Sequence, residues 1–270
     1  MTPDFDKVDR IIRETAQDVI MPRFRKLGEK DIREKSPRNL VTIADLESET
    51  ILSQRLSGLA PGSTIVGEEG VEENPGMLDA LKDAGPVWII DPLDGTNNFV
   101  NGKPCFAVII SYCRGGETLA GWIFDPVANV MVQARKGEGA WAGERRLKFA
   151  PPPPLDAMTG RGGKALKKRI TLGRKNEKRP ERLIRYGCVG REYQDLCLGW
   201  LHFACYQGHL KPWDHGAGVL IHSEAGGHSA INAEGTPYSP SLSIKKTTLL
   251  LAPDKASWKN LFGLTRGEKA

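Results

Sequence analysis

The stretch WIIDPLDGTNNF, residues 88–99, decides the fold around it and the chemistry that this fold can hold. The apolar residues before Asp91 indicate a buried strand, and Pro92 makes the chain turn where that strand ends, because its ring fixes φ and it has no N–H to donate. Asp94 follows three residues later. Two carboxylates crowded at a strand end repel each other and are costly to bury unless a cation neutralises them. The pattern therefore predicts a site for Mg²⁺, which prefers hard oxygen ligands.

The residues after this acidic pair add a second feature. Gly95-Thr96-Asn97 can open a helix or a tight turn with free backbone N–H groups, and such groups attract phosphate. The sequence has no His or Cys cluster with zinc spacing, so zinc is disfavoured. A phosphate beside Mg²⁺-binding carboxylates is the arrangement expected for hydrolysis of a phosphate ester.

Three other acidic pieces flank this stretch at a distance, namely LVTIAD (40–45), GEEG (67–70) and WDHGAG (213–218), which runs into EAGG (224–227). Each alone permits a structural interpretation. The GEEG piece could be a turn with solvated acids, Asp214 could cap a helix, and Thr42 and Asp45 could be capping groups at a helix start. Their joint occurrence favours one shared site.

Apolar periodicity outlines the remaining elements. Helices are predicted at 4–27, 44–56, 193–206, 216–224 and 254–262; strands are predicted at 63–66, 87–91, 105–113, 118–124, 130–134 and 247–251; a polar loop is predicted at 28–39. The three consecutive strands from 105 to 134 indicate an antiparallel sheet. Four prolines at 151–154 predict a boundary between an N-terminal half, 1–150, and a C-terminal half, 151–270, of one catalytic unit.

Composition narrows the class of protein. The 270 residues are 40% apolar and 26% charged, which is typical of a globular chain and argues against disorder. No apolar run approaches the roughly 18 residues that span a bilayer, and no signal peptide is visible. Five cysteines form no CxxC pair and no disulfide framework. A reduced, cytoplasmic protein with buried cysteines and no membrane partner is expected.

Positive charge is concentrated in residues 161–185, which hold eleven Lys or Arg and two Glu. The net charge of this segment is +9. Because the whole chain has a net charge of +5, the residues outside the segment have a net charge of −4. The segment is interpreted either as a solvated surface segment or as a region that steers anionic substrates. The rival hypothesis is a non-catalytic protein that binds nucleic acid or a protein partner through this segment. The lack of interleaved aromatic residues disfavours stacking on a single strand, and the presence of all the expected metal ligands disfavours a protein without catalysis.

Taken together, residues 88–99 and 213–227 resemble the two signatures of the inositol monophosphatase family, whose members are Mg²⁺-dependent and lithium-sensitive phosphatases. The LVTIAD and GEEG pieces also match in order and approximate spacing, and the match is weakest across 151–182. The resemblance implies an α/β (α+β) fold, an alternating α-β-α-β-α sandwich of the inositol monophosphatase and fructose bisphosphatase type. It also implies a cytoplasmic homodimer that hydrolyses a small phosphorylated substrate.

The resemblance implies two or three bound Mg²⁺ ions and the residues that bind them. The ligands of one ion would be Glu68, Asp91 and the Leu93 carbonyl, and those of another would be Asp91, Asp94 and Asp214. Glu68 therefore counts among the catalytic residues. Thr96, backed by Asp45, matches the pair that orients and deprotonates the attacking water. The backbone N–H groups of Gly95 and Thr96 match the phosphate cradle. Glu69 is expected to orient its neighbours.

The substrate side departs from the family pattern. Gly187 and Cys188 stand in a stretch that contacts substrate hydroxyls in relatives, and Gln207 stands where an acid is usual. A neutral amide makes a weaker contact with a hydroxyl than a carboxylate does. Inositol 1-phosphate is the first substrate hypothesis, and histidinol phosphate, fructose 1,6-bisphosphate and 3′-phosphoadenosine 5′-phosphate are the alternatives.

Two further residues have two interpretations each. Arg191 either meets a second phosphate or carboxylate of the substrate, or pairs with an acid near the helix that contains Tyr193. His215 either contacts substrate or is packed and hydrogen-bonded beside Asp214.

Overall fold

The computed structural model describes residues 3–37, 39–172, 178–232, 234–242 and 246–266. The helices in this part of the chain are α1 (Phe5–Thr15), α2 (Ile43–Leu59), α3 (Glu68–Glu73), α4 (Thr96–Val100), α5 (Lys164–Leu172), α6 (Val189–Leu198), α7 (Pro212–Glu224) and α8 (Lys255–Arg266). A π-helical segment (Ala16–Ile20) and a 3₁₀ turn (Met21–Arg23) prolong α1, and further 3₁₀ turns lie at Glu29–Asp31, Pro75–Lys82 and Leu155–Ala157. No described helix is long and apolar enough to cross a membrane.

The described strands form three sheets. They are β1 (Ile32–Ser36), β2 (Asn39–Thr42), β3 (Thr64–Gly67), β4 (Pro86–Asp94), β5 (Ala107–Arg114), β6 (Glu117–Asp125), β7 (Val130–Arg135), β8 (Gly139–Ala142), β9 (Arg145–Leu147), β10 (Thr159–Gly162), β11 (Arg182–Ile184), β12 (Phe203–His209), β13 (His228–Ile231) and β14 (Lys246–Ala252). Strands β3 to β9 form a seven-stranded sheet in chain order, and a five-stranded sheet has the order β11-β10-β12-β14-β13. The hairpin β1–β2 stands apart from both.

Helices cover both faces of the two large sheets, so the chain folds into alternating α-β-α-β-α layers. Helices α1 and α2 pack on one face of the seven-stranded sheet, where Ile12 and Leu52 meet Trp88 and Trp122. Helix α1 buries one mainly apolar side, as the spacing of its apolar residues predicts. The buried side of α2 holds Asp45 and Ser48 as well as Leu52 and Leu56. The expected α/β sandwich is confirmed.

Helices α6 and α7 fill the layer between the two sheets. Their apolar residues pack against β5 and β6 of one sheet and β12 and β14 of the other. Helix α7 approaches closely because it has glycines at the contacts: a Cβ on Gly216 would come within 2.6 Å of Ser111 Oγ, and one on Gly218 within 2.3 Å of the Tyr193 ring. The GAG part of WDHGAG thus serves packing, and the Asp before it is held in a fixed place.

The outer layer on the five-stranded sheet consists of α5 and α8. Leu166 and Trp258 pack with Phe203 and Leu250 of that sheet, and the Trp258 indole N–H donates to the Leu250 carbonyl at 3.0 Å. The two large sheets lie on either side of Pro151–Pro154 in the chain. The division into halves at this point stays a prediction.

Two predicted elements are wrong. The segment 28–39 is not a polar loop, because residues 32–36 pair antiparallel with β2. The helix predicted at 193–206 ends at Leu198, where Gly199 has a left-handed φ of 88°, and Phe203–Tyr206 belong to β12. A left-handed residue after the last turn is a common helix terminator, and glycine adopts it without strain.

Candidate active site

The two carboxylates of the central stretch lie at the irregular end of β4. The pairing of β4 with β5 shifts register between Asp91 and Asp94, and such a bulge re-aims side chains at a strand end. Asp91 Oδ1 accepts the Leu93 N–H at 3.1 Å. Asp94 Oδ2 accepts the Gly190 N–H at 2.5 Å and the Cys188 thiol at 3.1 Å. Asp94 is therefore tied to the start of α6.

Gly95 turns the chain from β4 into α4. It has a φ of 89° and precedes Thr96, the first residue of α4. A Cβ here would lie 3.0 Å from the Cys105 carbonyl and 3.1 Å from Cys188 Cβ, so both the backbone angle and the space require glycine. The predicted start of a helix at Gly95-Thr96 is confirmed by this geometry.

Thr96 and Asp45 are in direct contact although 51 residues separate them. Thr96 Oγ1 lies 3.0 Å from Asp45 Oδ1 and 3.0 Å from the Leu93 carbonyl oxygen. The other oxygen of Asp45 accepts the N–H and the hydroxyl of Thr42, at 2.8 and 2.5 Å. Thr42 and Asp45 also form the capping box of α2, so the capping interpretation and the pairing with Thr96 both hold. Burial raises the pKa of Asp45 to about 7.

Helix α3 brings two acids to the same region. Glu69 is buried and accepts the Lys35 ammonium at 3.0 Å, which rules out a solvated turn for GEEG. Glu68 Oε1 lies 3.8 Å from Lys35 Nζ and 3.7 Å from Lys211 Nζ. Burial raises the pKa of Glu69, and the Lys35 ammonium opposes that rise.

Glu49 on α2 fixes the start of α3, because its carboxylate accepts the N–H groups of Glu69 and Gly70 at 2.9 and 2.8 Å. Burial raises the pKa of Glu49 to about 7. Sequence reasoning missed Glu49, although its position four residues after Asp45 puts both on one face of a helix.

Asp214 lies in the first turn of α7, after Pro212, and Lys211 occupies the N-cap position. The interpretation of Asp214 as the cap is therefore wrong. Burial raises the pKa of Asp214, and the charges of Glu68 and Asp94 raise it further. Burial likewise raises the pKa of Asp91, with added repulsion from its neighbours Glu68, Asp94, Asp214 and Asp45. Acids from all four sequence pieces therefore lie close enough together to raise the pKa of Asp91.

These carboxylates fit a divalent cation by their chemistry. Burial raises the pKa of Asp94 to about 7, and the mutual repulsion in the cluster is the kind that a bound cation relieves. In the described part of the chain, however, no three Asp, Glu, His or Cys side chains converge closely enough to enclose an ion as they stand. Asp94 faces Cys188 and Gly190, and Glu68 faces two lysines.

Of the predicted substrate residues, Gly187 and Cys188 lie beside this cluster. The Asn98 side-chain amide, which sequence reasoning missed, donates to the carbonyls of Cys105, Tyr186 and Gly187 at 3.0 to 3.3 Å. It joins α4 to the turn before α6, and the thiol of Cys188 contacts Asp94. The Gln207 Oε1 atom is buried and has no hydrogen-bond partner within the described residues.

For Arg191 and His215 the structural interpretations are confirmed. Arg191 pairs with Asp125 at 2.7 Å and with Asp195 at 2.9 Å. His215 is buried, and its Nδ1 lies 3.1 Å from the Tyr193 hydroxyl. Burial lowers the pKa of His215 to about 3.

The basic segment 161–185 is not one solvated surface. Arg161 is largely buried, lies 2.9 Å from Glu192 and has its guanidinium over the Tyr206 ring at 4.1 Å. Lys178 pairs with Asp156 at 3.2 Å on the surface. Residues 173–177 of this segment lie outside the described residues.

Solved structures share this architecture. The Thermotoga maritima IMPase superposes with a TM-score of 0.79 over 97% of this chain and 96% of that chain, at 23% sequence identity. At that identity the likeness shows the fold alone. The fold and the group of acids around the buried Asp91 define the class: a layered α/β protein with an acidic candidate site.

Sequence comparisons define the family. A model described as "Inositol monophosphatase family" matches residues 4–262. The inositol-1-monophosphatase of Caulobacter vibrioides is 33% identical over 216 residues, 76% of this chain and 80% of that protein. The fructose-1,6-bisphosphatase/inositol-1-monophosphatase of Thermotoga maritima is 30% identical over 197 residues, 70% of each. The chain belongs to the inositol monophosphatase family, whose members are in general Mg²⁺-dependent.

Proposed function

We propose that this protein is a Mg²⁺-dependent phosphomonoesterase for a small sugar or polyol phosphate. The observation that carries the proposal is the group of acids around the buried Asp91, in which the charges of Glu68 and Asp94 raise the pKa of Asp91 and Asp214, next to the Thr96–Asp45 pair. The ligands would be Glu68, Asp91 and the Leu93 carbonyl for one ion, and Asp91, Asp94 and Asp214 for another, with two or three ions in all. When bound, Mg²⁺ neutralises ester oxygens, acidifies water and stabilises the departing oxygen.

The protein's own residues supply the rest of the mechanism. Thr96 Oγ1 accepts a proton from the attacking water as its own proton moves to Asp45 Oδ1, which lies 3.0 Å away. A pKa of about 7 suits Asp45 to hold that proton and release it near neutral pH. Thr42 keeps Asp45 in place through its other oxygen. The N–H groups of Gly95 and Thr96 would hold the phosphate.

Two substrate hypotheses have separate support. The Caulobacter vibrioides relative is named for inositol 1-monophosphate, and the Thermotoga maritima relative is named for fructose 1,6-bisphosphate as well. Phosphate release from inositol 1-phosphate, fructose 1,6-bisphosphate, histidinol phosphate and 3′-phosphoadenosine 5′-phosphate, assayed in parallel with Mg²⁺, ranks them. Inositol 1-phosphate is dropped if another substrate exceeds it tenfold in kcat/KM.

The test of the site is Asp91→Asn. We expect it to lower kcat at least 100-fold and to leave the circular dichroism spectrum unchanged, because the amide loses the charge of a shared ligand but keeps its size. The exposed Asp79→Asn, whose acid pairs only with Lys82 among the described residues, is the control. Near-normal turnover of Asp91→Asn at saturating Mg²⁺ would disprove the ligand assignment.

The expected homodimer and cytoplasmic location remain predictions. Sedimentation equilibrium of the purified protein tests the first: a mass near 59 kDa, about twice the 29.6 kDa chain, supports a dimer, and a mass near 30 kDa contradicts it.

A further inference from the structure

Two cysteines from distant parts of the chain meet at the edge of the acidic cluster. Cys188 is the N-cap residue of α6, and Cys105 lies in the connection between α4 and β5. A Cβ on Gly95 would lie 3.0 Å from the Cys105 carbonyl oxygen and 3.1 Å from Cys188 Cβ, so both residues border the same small space. The Asn98 amide donates to the carbonyls of Cys105 and Gly187 at 3.0 and 3.3 Å, which holds the two chain segments together.

The two side chains contact each other, and only one of them reaches solvent. The thiols of Cys105 and Cys188 form a hydrogen-bonded contact, and the Cys188 sulfur also lies 3.1 Å from Asp94 Oδ2. All five cysteines lie in the described part of the chain and are free. Cys105 is the only one of them that is not buried, contrary to the expectation from the sequence. A dissolved oxidant therefore meets Cys105 first.

The surroundings of Cys105 favour attack on such an oxidant. Its contact with Cys188 lowers the pKa of the Cys105 thiol, burial opposes this change, and the charge of Arg191 adds to it. The guanidinium of Arg191 is held in place by Asp125 and Asp195 at 2.7 and 2.9 Å. The thiolate is the reactive form of cysteine, and an accessible thiol beside a second thiol is typical of cysteines that oxidise reversibly.

We propose that Cys105 and Cys188 form a modification site, which hydrogen peroxide oxidises to a disulfide that removes the Cys188 donor from Asp94 and lowers catalysis. Cys105 Sγ attacks one peroxide oxygen, the O–O bond breaks, one water leaves, and Cys105 becomes a sulfenic acid. Cys188 Sγ then attacks the Cys105 sulfur, the S–O bond breaks, a second water leaves, and the S–S bond forms. Two electrons and the two thiol protons thus pass from the cysteines to one peroxide, and a dithiol reductant reverses the change.

The consequence for Asp94 follows from what a disulfide lacks. Asp94 Oδ2 accepts the Cys188 thiol and the Gly190 N–H, and a disulfide sulfur has no proton to donate. Oxidation therefore removes one of the two donors that orient a carboxylate proposed to bind metal. This effect on activity rests on the proposed function, whereas formation of the disulfide does not.

The experiment treats the reduced protein with a small excess of hydrogen peroxide, removes the peroxide with catalase, and counts free thiols after denaturation. We expect the count to fall from five to three, and peptide mapping to find one cross-link, between Cys105 and Cys188. Phosphate release with Mg²⁺, measured on the best substrate of the parallel assay, should fall about tenfold or more, because a hydrogen bond to a charged group is lost. Dithiothreitol should restore both the thiol count and the activity.

Cys105→Ser and Cys113→Ser form a matched pair of variants. Cys105→Ser removes the attacking thiol, so the same treatment should change neither its activity nor its remaining thiols. Cys113→Ser replaces a buried thiol that contacts Thr118 Oγ1. It should oxidise and lose activity as the unmodified protein does.

Several results would overturn the inference: five free thiols after treatment, a cross-link between other cysteines, a Cys105–Cys188 disulfide without loss of activity, or an equal loss of activity in Cys105→Ser. Peptide mapping uses the unmodified protein, so this part of the test does not depend on the folding of any variant. No phosphate release by the reduced protein from any substrate with Mg²⁺ would overturn the proposed function. The mapped disulfide would still establish the modification site in that case.

Discussion

At the scale of single residues, Cys188 links the acidic cluster to α6. Its thiol donates to Asp94 Oδ2 at 3.1 Å, and the same oxygen accepts the Gly190 N–H. The thiol is also buried, with a pKa raised by that burial, so it donates as a neutral group. This thiol, a weak hydrogen-bond donor, thus helps to orient the carboxylate of Asp94, which is proposed to bind metal.

This contact predicts different outcomes for two substitutions of similar size. Cys188→Ser keeps a donor and should retain activity within about threefold. Cys188→Val removes the donor and should lower kcat/KM about tenfold, because hydrogen bonds to charged groups contribute about 1.5–3 kcal/mol. Steady-state assays of both variants at several Mg²⁺ concentrations provide the measurement. Equal activity of the two variants would show that Asp94 does not depend on this thiol.

Residue-level prediction from the sequence worked where a local pattern carries the chemistry. Gly95 before Thr96, and Thr42 with Asp45, lie as the pattern indicates. Pro92, which was expected to end the strand, lies inside β4, which continues to Asp94 after a shift in register. The lysines that neutralise Glu68 and Glu69 could not be predicted in this way. Lys35 contacts Glu69 across 34 residues, and no local pattern encodes such a distance.

At the scale of elements, α7 carries more than Asp214. His222, near its end, is fully buried beside the Phe149 ring, whose centroid lies 4.9 Å from that of His222. A Cβ on Gly227 would lie 2.2 Å from His222 Cε1, so this ring occupies the space that the glycine leaves. Burial lowers the pKa of His222 to about 3. The end of α7 therefore depends on a neutral imidazole.

The stability of the protein should consequently depend on pH through His222. Its pKa is about 3 in the folded chain and about 6.5 when unfolded, so its contribution is complete above about pH 6.5 and is lost as pH falls toward 3. The slope is at most about 1.4 kcal/mol per pH unit. In urea unfolding at pH 5 to 7.5, His222→Leu should show a pH slope lower by up to that amount. Parallel curves for the two proteins would contradict a neutral buried His222.

Element boundaries were predicted best where apolar spacing is regular and worst where strand and helix patterns merge. Residues 193–206 keep apolar spacing through Gly199 and Leu201, so nothing but the glycine indicates that a strand begins at Phe203. The hairpin β1–β2 escaped prediction because β1 is mostly polar and exposed. Its pairing with β2, rather than burial, makes it a strand.

At the scale of the whole molecule, the layers explain why the acids meet. Asp91 and Asp94 lie toward the end of β4, an interior strand of the seven-stranded sheet. Asp45 lies in the first turn of α2 on one face of that sheet, and Asp214 lies in the first turn of α7 on the other. The order of the pieces in the sequence indicates that they cooperate. Their distances depend on how the helices pack on the sheet, and this packing involves contacts too far apart in the chain for periodicity to encode.

Because the acids repel one another in the folded protein, Mg²⁺ should stabilise the whole molecule. Burial and like charges raise the pKa of Asp91 and Asp214. Binding at 100 times Kd contributes about 2.7 kcal/mol, which corresponds to a rise of roughly 5–10 °C in Tm for a chain of this size. Calorimetry with and without Mg²⁺ measures the shift.

The variant Asp91→Asn distinguishes binding of Mg²⁺ at these acids from a general effect of salt on Tm. Without Mg²⁺ the variant should melt at a higher temperature than the unmodified protein, because one buried charge has been removed from a group of like charges. With Mg²⁺ the order should reverse, because the variant has lost a shared ligand and gains little from the ion. Asp79→Asn, at an exposed acid, should follow the unmodified protein in both conditions. If Mg²⁺ raises the Tm of Asp91→Asn as much as that of the unmodified protein, the ion binds elsewhere and the acids around Asp91 repel one another without holding a cation.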